Sequence, residues 1–142
     1  MRAYASYARR LSALKDIPLL LLRLVLAYGY FEPARLKWQD IHGIGDWFAQ
    51  LHIPVPYVSA YVVAITESAG VILLTLGLWV RYITLPLMFS MVVAIITVHW
   101  ANGFEAGNNG FEIPLYYILM LFTLLVYGSG KAGLDALLER SR

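Results

Sequence analysis

The chain has 142 residues, enough for one domain. Apolar residues make up 60% and charged residues 14%, and the mean hydropathy is +0.65, whereas soluble domains carry about 45–50% and about 25% of these classes; the deviation points to lipid as the solvent. A net charge of +2 with no Arg/Lys run interleaved with aromatics argues against nucleic acid, and the lack of cysteine excludes disulfides, thiolate nucleophiles, Cys-ligated zinc and iron–sulfur clusters.

The first apolar stretch, 17–31, reads IPLLLLRLVLAYGYF. A span needs about 20 residues, so the helix is expected to continue past Pro33 to about Trp38, which a membrane helix tolerates. Arg23 interrupts the run and no small-x-small site follows, so the stretch reads as a retained helix rather than a cleaved signal. Within 38–51, Ile41, Ile44, Trp47, Phe48 and Leu51 recur at helical spacing. They predict an amphipathic helix on the outer membrane surface, ended by Pro54 and Pro56. Further spans are expected at 57–80, 82–101 and 111–128, with Pro114 in the first turn of the last, and a short surface helix at 134–138. The expected fold is all-α: one integral membrane four-helix bundle over 1–142, with spans 17–38, 57–80, 82–101 and 111–128. Eight basic residues flank the spans on one side (Arg2, Arg9, Arg10, Lys15, Arg81, Lys131, Arg140, Arg142) and two on the other (Arg35, Lys37). The positive-inside rule then places both termini in the cytoplasm.

Ionisable residues inside a span are costly and therefore candidates for function. Glu67 falls near the middle of the second span on the face of Ala60 and Ala64, and small residues mark helix contacts in membranes. Arg23 shares a face of the first span with Ala27 and Tyr30. The two charges differ in depth by roughly 10 Å from the rise per residue, so an intramembrane Arg23–Glu67 pair is expected. It would fix helix register, or Glu67 would accept a proton or bind a ligand.

A polar mouth is expected at the outer side: Glu32 and Arg35 at i, i+3, then His99, Asn102, Glu105 and Glu112. Carboxylates with one imidazole suit a divalent cation, which makes His99, Glu105 and Glu112 the candidate metal ligands. At about 100° per residue His99 lies roughly 200° from Thr97, away from the small-residue face of Ser90, Ala94, Thr97 and Ala101. It is therefore expected to face away from the bundle interior. His42 and His52 read as surface residues, and Trp38, Trp47, Trp79 and Trp100 as interfacial anchors. Tyr116, Met120, Thr123 and Tyr127 share one face of the fourth span. They either pack between helices or line a pocket for a quinone-like ring. No phosphate loop, catalytic triad or H-E-x-x-H is present; the glycines of FEAGNNGFE belong to a turn-rich loop.

Several of these segments are familiar together. LLLLRLVLAYGYFEP, ARLKW and WFAQLHIPVPYVSAYVVAITESAGVILLTLGLWVR, with Glu67, Gly70, Leu74, Gly77 and Arg81 in an E-x-x-G-x-x-x-L-x-x-G-x-x-x-R pattern, resemble the DoxX family of small four-span bacterial membrane proteins. VAIITVHWANGFEAGNNGFEIPLYY resembles its HvfX-like branch. The resemblance covers roughly 17–130 and matches the family's polar pattern at Arg23, Glu67, Arg81 and His99; it carries over no catalytic residue. It implies a multi-pass protein of the bacterial inner membrane. The family is similar to membrane subunits linked with oxidoreductases, including a quinone-coupled thiosulfate-oxidising pair. The branch is associated with systems that make copper-binding modified peptides. The expected function is a non-enzymatic inner-membrane accessory of a copper-stress or peptide-maturation system. The alternatives are a membrane subunit of a quinone-linked oxidoreductase and a small metal or metal-peptide transporter, the last short of polar steps. Candidate cofactors are a quinone or copper. Candidate partners are membrane lipid, membrane or periplasmic proteins and a second copy of the chain, with no nucleic acid.

Overall fold

The structure, a computed structural model, describes residues 2–140; Arg142, counted above among the flanking charges, lies outside them, as does the side chain of Arg2. The described residues form helices and no strand: α1 (Arg2–Ser12), α2 (Asp16–Gln39), α3 (Ile41–Gln50), α4 (Pro56–Leu76), α5 (Val80–Ala94), α6 (Glu112–Tyr127) and α7 (Leu134–Arg140). Beyond Ala94 the α5 helix widens into a π turn, Ile95–His99, and tightens into a 3₁₀ turn, Trp100–Asn102. By length and composition two helices suffice to cross a membrane: α4, and α5 continued to Asn102. The 24-residue α2 is long enough but carries Arg23, Glu32, Arg35 and Lys37 along its length, and the apolar α6 has 16 residues. The sequence reading missed α1, although Tyr7 and Leu11 lie one turn apart with Arg9 and Arg10 between them.

Pro33 does not break α2. Its buried face is Leu19, Arg23, Leu26, Ala27, Tyr30 and Ala34; that of α4 is Ala60, Ala64, Glu67, Gly70 and Leu74. Steps of three and four keep each set on one side of its helix. The two faces meet antiparallel, with the Trp38 indole donating to Ser68 Oγ at one end (2.9 Å) and Arg23 packed on Gly77 at the other. α5 packs along α4 and α6. At Gly70 a Cβ would press into Leu87, so glycine sets how closely α5 approaches α4.

α4 extends past the end of α2, and α3 fills the step. Asp40 caps α3 by accepting from the Gly43 N–H (2.9 Å). Gly45 leaves space for the Tyr57 ring, whose hydroxyl donates to Asp46. The expected amphipathic helix exists, but it is docked on α4 as well as lying at the surface.

The resulting body has an apolar core that encloses a few polar side chains, and an outer surface rich in apolar ones. Arg23 and Glu67 are buried, while Leu21, Val25, Val62, Ile65, Ile72, Leu85, Phe89, Ile96, Leu119 and Phe122 are exposed.

Candidate functional site

Glu67 does not pair with Arg23. Its carboxylate takes two hydrogen bonds from Lys37 Nζ, at 2.8 and 3.1 Å, with side-chain exposures of 5% and 14%. The expected pair fails on register. Because α4 starts beyond the end of α2, Glu67 lies opposite Lys37, and Arg23 lies opposite Gly77, the C-cap of α4. There the fully buried guanidinium donates from Nη2 to the Ala132 carbonyl (3.3 Å) and sits at the negative end of the α4 dipole. Its Nε and Nη1 have no partner. A Cβ on Gly77, which holds φ +67°, would overlap the guanidinium, so no space remains beside it. The 128–136 segment seals this end. Asp135 accepts from the Trp79 and Val80 N–H groups at 2.7 and 3.1 Å, capping α5. The Lys131 N–H donates to Asp16 (2.9 Å) and Arg81 donates to the Val126 carbonyl (3.3 Å).

The Glu67 end differs. A cavity of about 260 Å³ lies beside the ion pair. Glu67, Tyr30 and Pro33 form one wall, Met91, Ala94 and His99 a second, Pro114 and Tyr117 a third, and loop residues Ala106, Asn109 and Gly110 complete the lining. Tyr30 is 1% exposed and its hydroxyl has no hydrogen-bond partner. A buried unsatisfied hydroxyl costs about 1–3 kcal/mol. The Tyr117 ring meets the Tyr30 ring edge-on at 5.3 Å between centroids, and its hydroxyl rests against Gly29, where a Cβ would collide.

His99 belongs to this cavity, contrary to the helical-wheel expectation. The π turn is the reason: it inserts an extra residue into the helix and rotates everything after it. The ring is half-buried, and its Nδ1 lies 2.8 Å from the Asn109 carbonyl. The same carbonyl accepts from Asn102 Nδ2 (3.2 Å).

The rest of the expected mouth is dispersed. Glu32 and Arg35 pair with each other on the exposed face of α2. Arg35 borders a separate, open groove of about 480 Å³ between α2 and α4, lined mainly by Phe31, Ala34, Trp38, Val71 and Ile72. Glu112 accepts from the Ala106 N–H and the Tyr116 hydroxyl, both at 2.9 Å, and so pins the loop. Glu105 is exposed beside Asn108. His99, Glu105 and Glu112 therefore do not converge, and among the described residues no three His, Asp or Glu side chains gather as a metal-binding group. His42 stands beside the Tyr57 ring at 6.3 Å and His52 lies in the turn after α3, both apart from the cavity. The proposed ring-binding face is displaced by one residue. Tyr116 bonds Glu112, Thr123 bonds the Leu119 carbonyl, Met120 packs on the core and Tyr127 is exposed; Tyr117 lines the cavity instead.

Chemically, the cavity offers a carboxylate with its cation, an imidazole and an unengaged phenol around an otherwise apolar space. It suits a small ring with polar edge atoms better than a metal ion. Fold and site together define a small helical protein with an apolar outer surface, a few buried charges in an apolar core, and a cavity beside one of those charges.

The DoxX family pattern matches residues 18–100. A protein of Haemophilus influenzae described as "Uncharacterized protein" is 30% identical over 132 residues, covering 87% of this chain and 85% of its own. The chain belongs to the DoxX family, which is membrane-associated. It is also similar to a Bacillus subtilis protein named "Putative oxidoreductase CatD", 32% identical over 122 residues, covering 84% of this chain and 86% of that one. No solved structure matches it.

Proposed function

We propose that this chain is the membrane subunit of a quinone-linked oxidoreductase, and that it holds the ring of its ligand in the cavity beside Glu67. In this reading α2, α4, α5 with its continuation, and α6 cross the bacterial inner membrane. Both termini lie in the cytoplasm, and the exposed apolar residues face lipid. The observation that carries the reading is a 260 Å³ cavity lined by Glu67, Tyr30, His99 and Tyr117, with the buried Tyr30 hydroxyl left without a partner. An engineered cavity of about 150 Å³ is enough to bind benzene, so one substituted ring fits; a rotation of Tyr30 would bring its hydroxyl to a ring oxygen. The relative named as an oxidoreductase supports the same class. A quinone supplies two-electron carrier chemistry when bound. This chain's part is to bind and orient the ring and hold charge near it with Lys37 and Glu67.

The HvfX-like likeness of 93–117 supports a second reading, an accessory role in copper stress or modified-peptide maturation. Among the residues lining the cavity, the His99 imidazole and the Met91 thioether are the donors suited to copper. Two such donors make an incomplete copper site without ligands from a partner.

Native mass spectrometry in mild detergent, beside a Glu67→Gln variant, tests the choice. The proposed function expects a retained organic mass of quinone size that the variant loses or holds weakly. A retained copper or peptide mass would favour the second reading, and a bare polypeptide would count against the ring site.

A further inference from the structure

We infer that α1 is an in-plane anchor that seats on anionic lipid headgroups at the cytoplasmic face of the membrane. The inference rests on the reading that the start of α2 lies at that face, and it does not depend on the ring site.

The sequence of α1, RAYASYARRLS, contains no acid. Tyr7 and Leu11 lie one turn apart, and Leu14 follows just after the helix; all three are exposed, by 61%, 49% and 53%. Arg9, Arg10 and Lys15 are exposed as well. At about 100° per residue, Arg9 lies roughly 160° around the helix from both Tyr7 and Leu11, and Arg10 flanks the apolar side. A short helix with an apolar side, a basic side and low overall hydrophobicity is the kind that lies in a membrane interface.

α1 is also a segment apart. The Leu14 and Ile17 N–H groups bond the carbonyls of Leu11 and Leu14, three residues back, at 2.9 and 3.0 Å. Pro18 has no N–H to bond the Leu14 carbonyl in the α-helical way. The turn at 13–15 therefore separates α1 from α2, and among the described residues no helix packs along α1.

The acids at this end of the bundle are mostly engaged elsewhere. Asp16 accepts from the Lys131 N–H (2.9 Å), and Asp135 accepts from the Trp79 and Val80 N–H groups. Glu139 lies on α7 next to Arg140. Among the described residues no carboxylate pairs with Arg10 or Lys15. Water would solvate these cations but leave Tyr7, Leu11 and Leu14 uncovered. A neutral lipid surface would cover the apolar side and leave the cations unmatched. Net-negative headgroups around the start of α2 do both: the apolar side enters the acyl boundary, and the long basic side chains reach back to the phosphates.

The test uses the full chain reconstituted in vesicles of pure phosphatidylcholine or of an equal mixture with phosphatidylglycerol. The chain has no cysteine, so single spin labels can be placed at Leu11→Cys, at Ser12→Cys, roughly 140° from Tyr7, and at Ile65→Cys, exposed on α4. Accessibility to oxygen and to a water-soluble nickel complex reads immersion. With phosphatidylglycerol the label at 11 should be immersed and that at 12 more exposed to water; in pure phosphatidylcholine the label at 11 should be mainly in water. Changing Arg10→Gln and Lys15→Gln should lower the ratio of immersed to water-exposed label at 11 by about fivefold for each charge removed. Equal immersion in both lipids, an unchanged ratio in the double variant, or a label at 11 as wet as that at 12 would overturn the inference. The label at Ile65 should be immersed in either lipid; if it is in water, the membrane reading fails and the inference with it.

Discussion

Two polar groups are buried at opposite ends of the α2–α4 interface, and they are buried differently. Arg23 is packed solid: glycine at position 77 is required for it to fit, the Ala132 carbonyl takes one of its hydrogens, and the 128–136 segment closes over it. Glu67 sits beside open space, with its charge matched by Lys37 and an unpartnered Tyr30 hydroxyl and His99 on the same cavity. Both residues look alike in sequence, each a lone charge in an apolar run. Both ends leave hydrogen-bonding groups unengaged; the presence of room beside them separates a charge that locks helices together from one that can serve a ligand. By that criterion the Arg23 end is a structural joint and the Glu67 end is the site.

Substitutions can break this contrast in graded steps. The largest effect is expected from Gly77→Ala. Its Cβ would overlap the Arg23 guanidinium, and φ +67° disfavours any side chain; folded protein recovered in detergent should fall to a small fraction of wild type. Next is Glu67→Leu, which leaves Lys37 poorly solvated and unpaired. Removing one partner of a buried pair costs about 3–5 kcal/mol, measurable as lost thermal stability. The double change Lys37→Met with Glu67→Leu should recover most of it. Tyr30→Phe removes a hydroxyl that has no partner, so the ligand-free protein should be unchanged or more stable by about 1 kcal/mol, while ring binding weakens. A large loss of stability in ligand-free Tyr30→Phe would mean the hydroxyl is satisfied within the protein. The smallest effect is expected from Glu32→Gln, because the Glu32–Arg35 pair is exposed; melting should be indistinguishable from wild type.

The helices from α2 onward were legible because hydrophobic runs and proline positions mark them directly; α1 has neither. The inward direction of Glu67 was legible for a related reason: Ala60, Ala64 and Gly70 put small side chains on the same face. Pairing between helices was not, since it depends on how far α4 rises beyond α2, and α3 determines that through Gly45 and Tyr57. His99 was misplaced because a wheel of constant pitch cannot represent a π turn, and no residue in IITVH announces one. The face of α6 was off by one position. Tyr116 and Tyr117 are adjacent and chemically identical, and only packing against Gly29 and Tyr30 distinguishes them. The orphan hydroxyl of Tyr30 is a three-dimensional fact with no sequence signal.

On this account a ligand sits in the cavity lined by Glu67, Tyr30 and His99, and not in the groove lined by Trp38, Val71 and Ile72. The most direct measurement is the organic mass retained per chain after gentle purification, compared among wild type, Ala94→Phe and Val71→Phe. Ala94 lines the cavity and Val71 lines the groove, so each phenylalanine fills one space and leaves the other. Loss of the retained mass in Ala94→Phe and its persistence in Val71→Phe is the expected result; loss in Val71→Phe with retention in Ala94→Phe would contradict the assignment of the site.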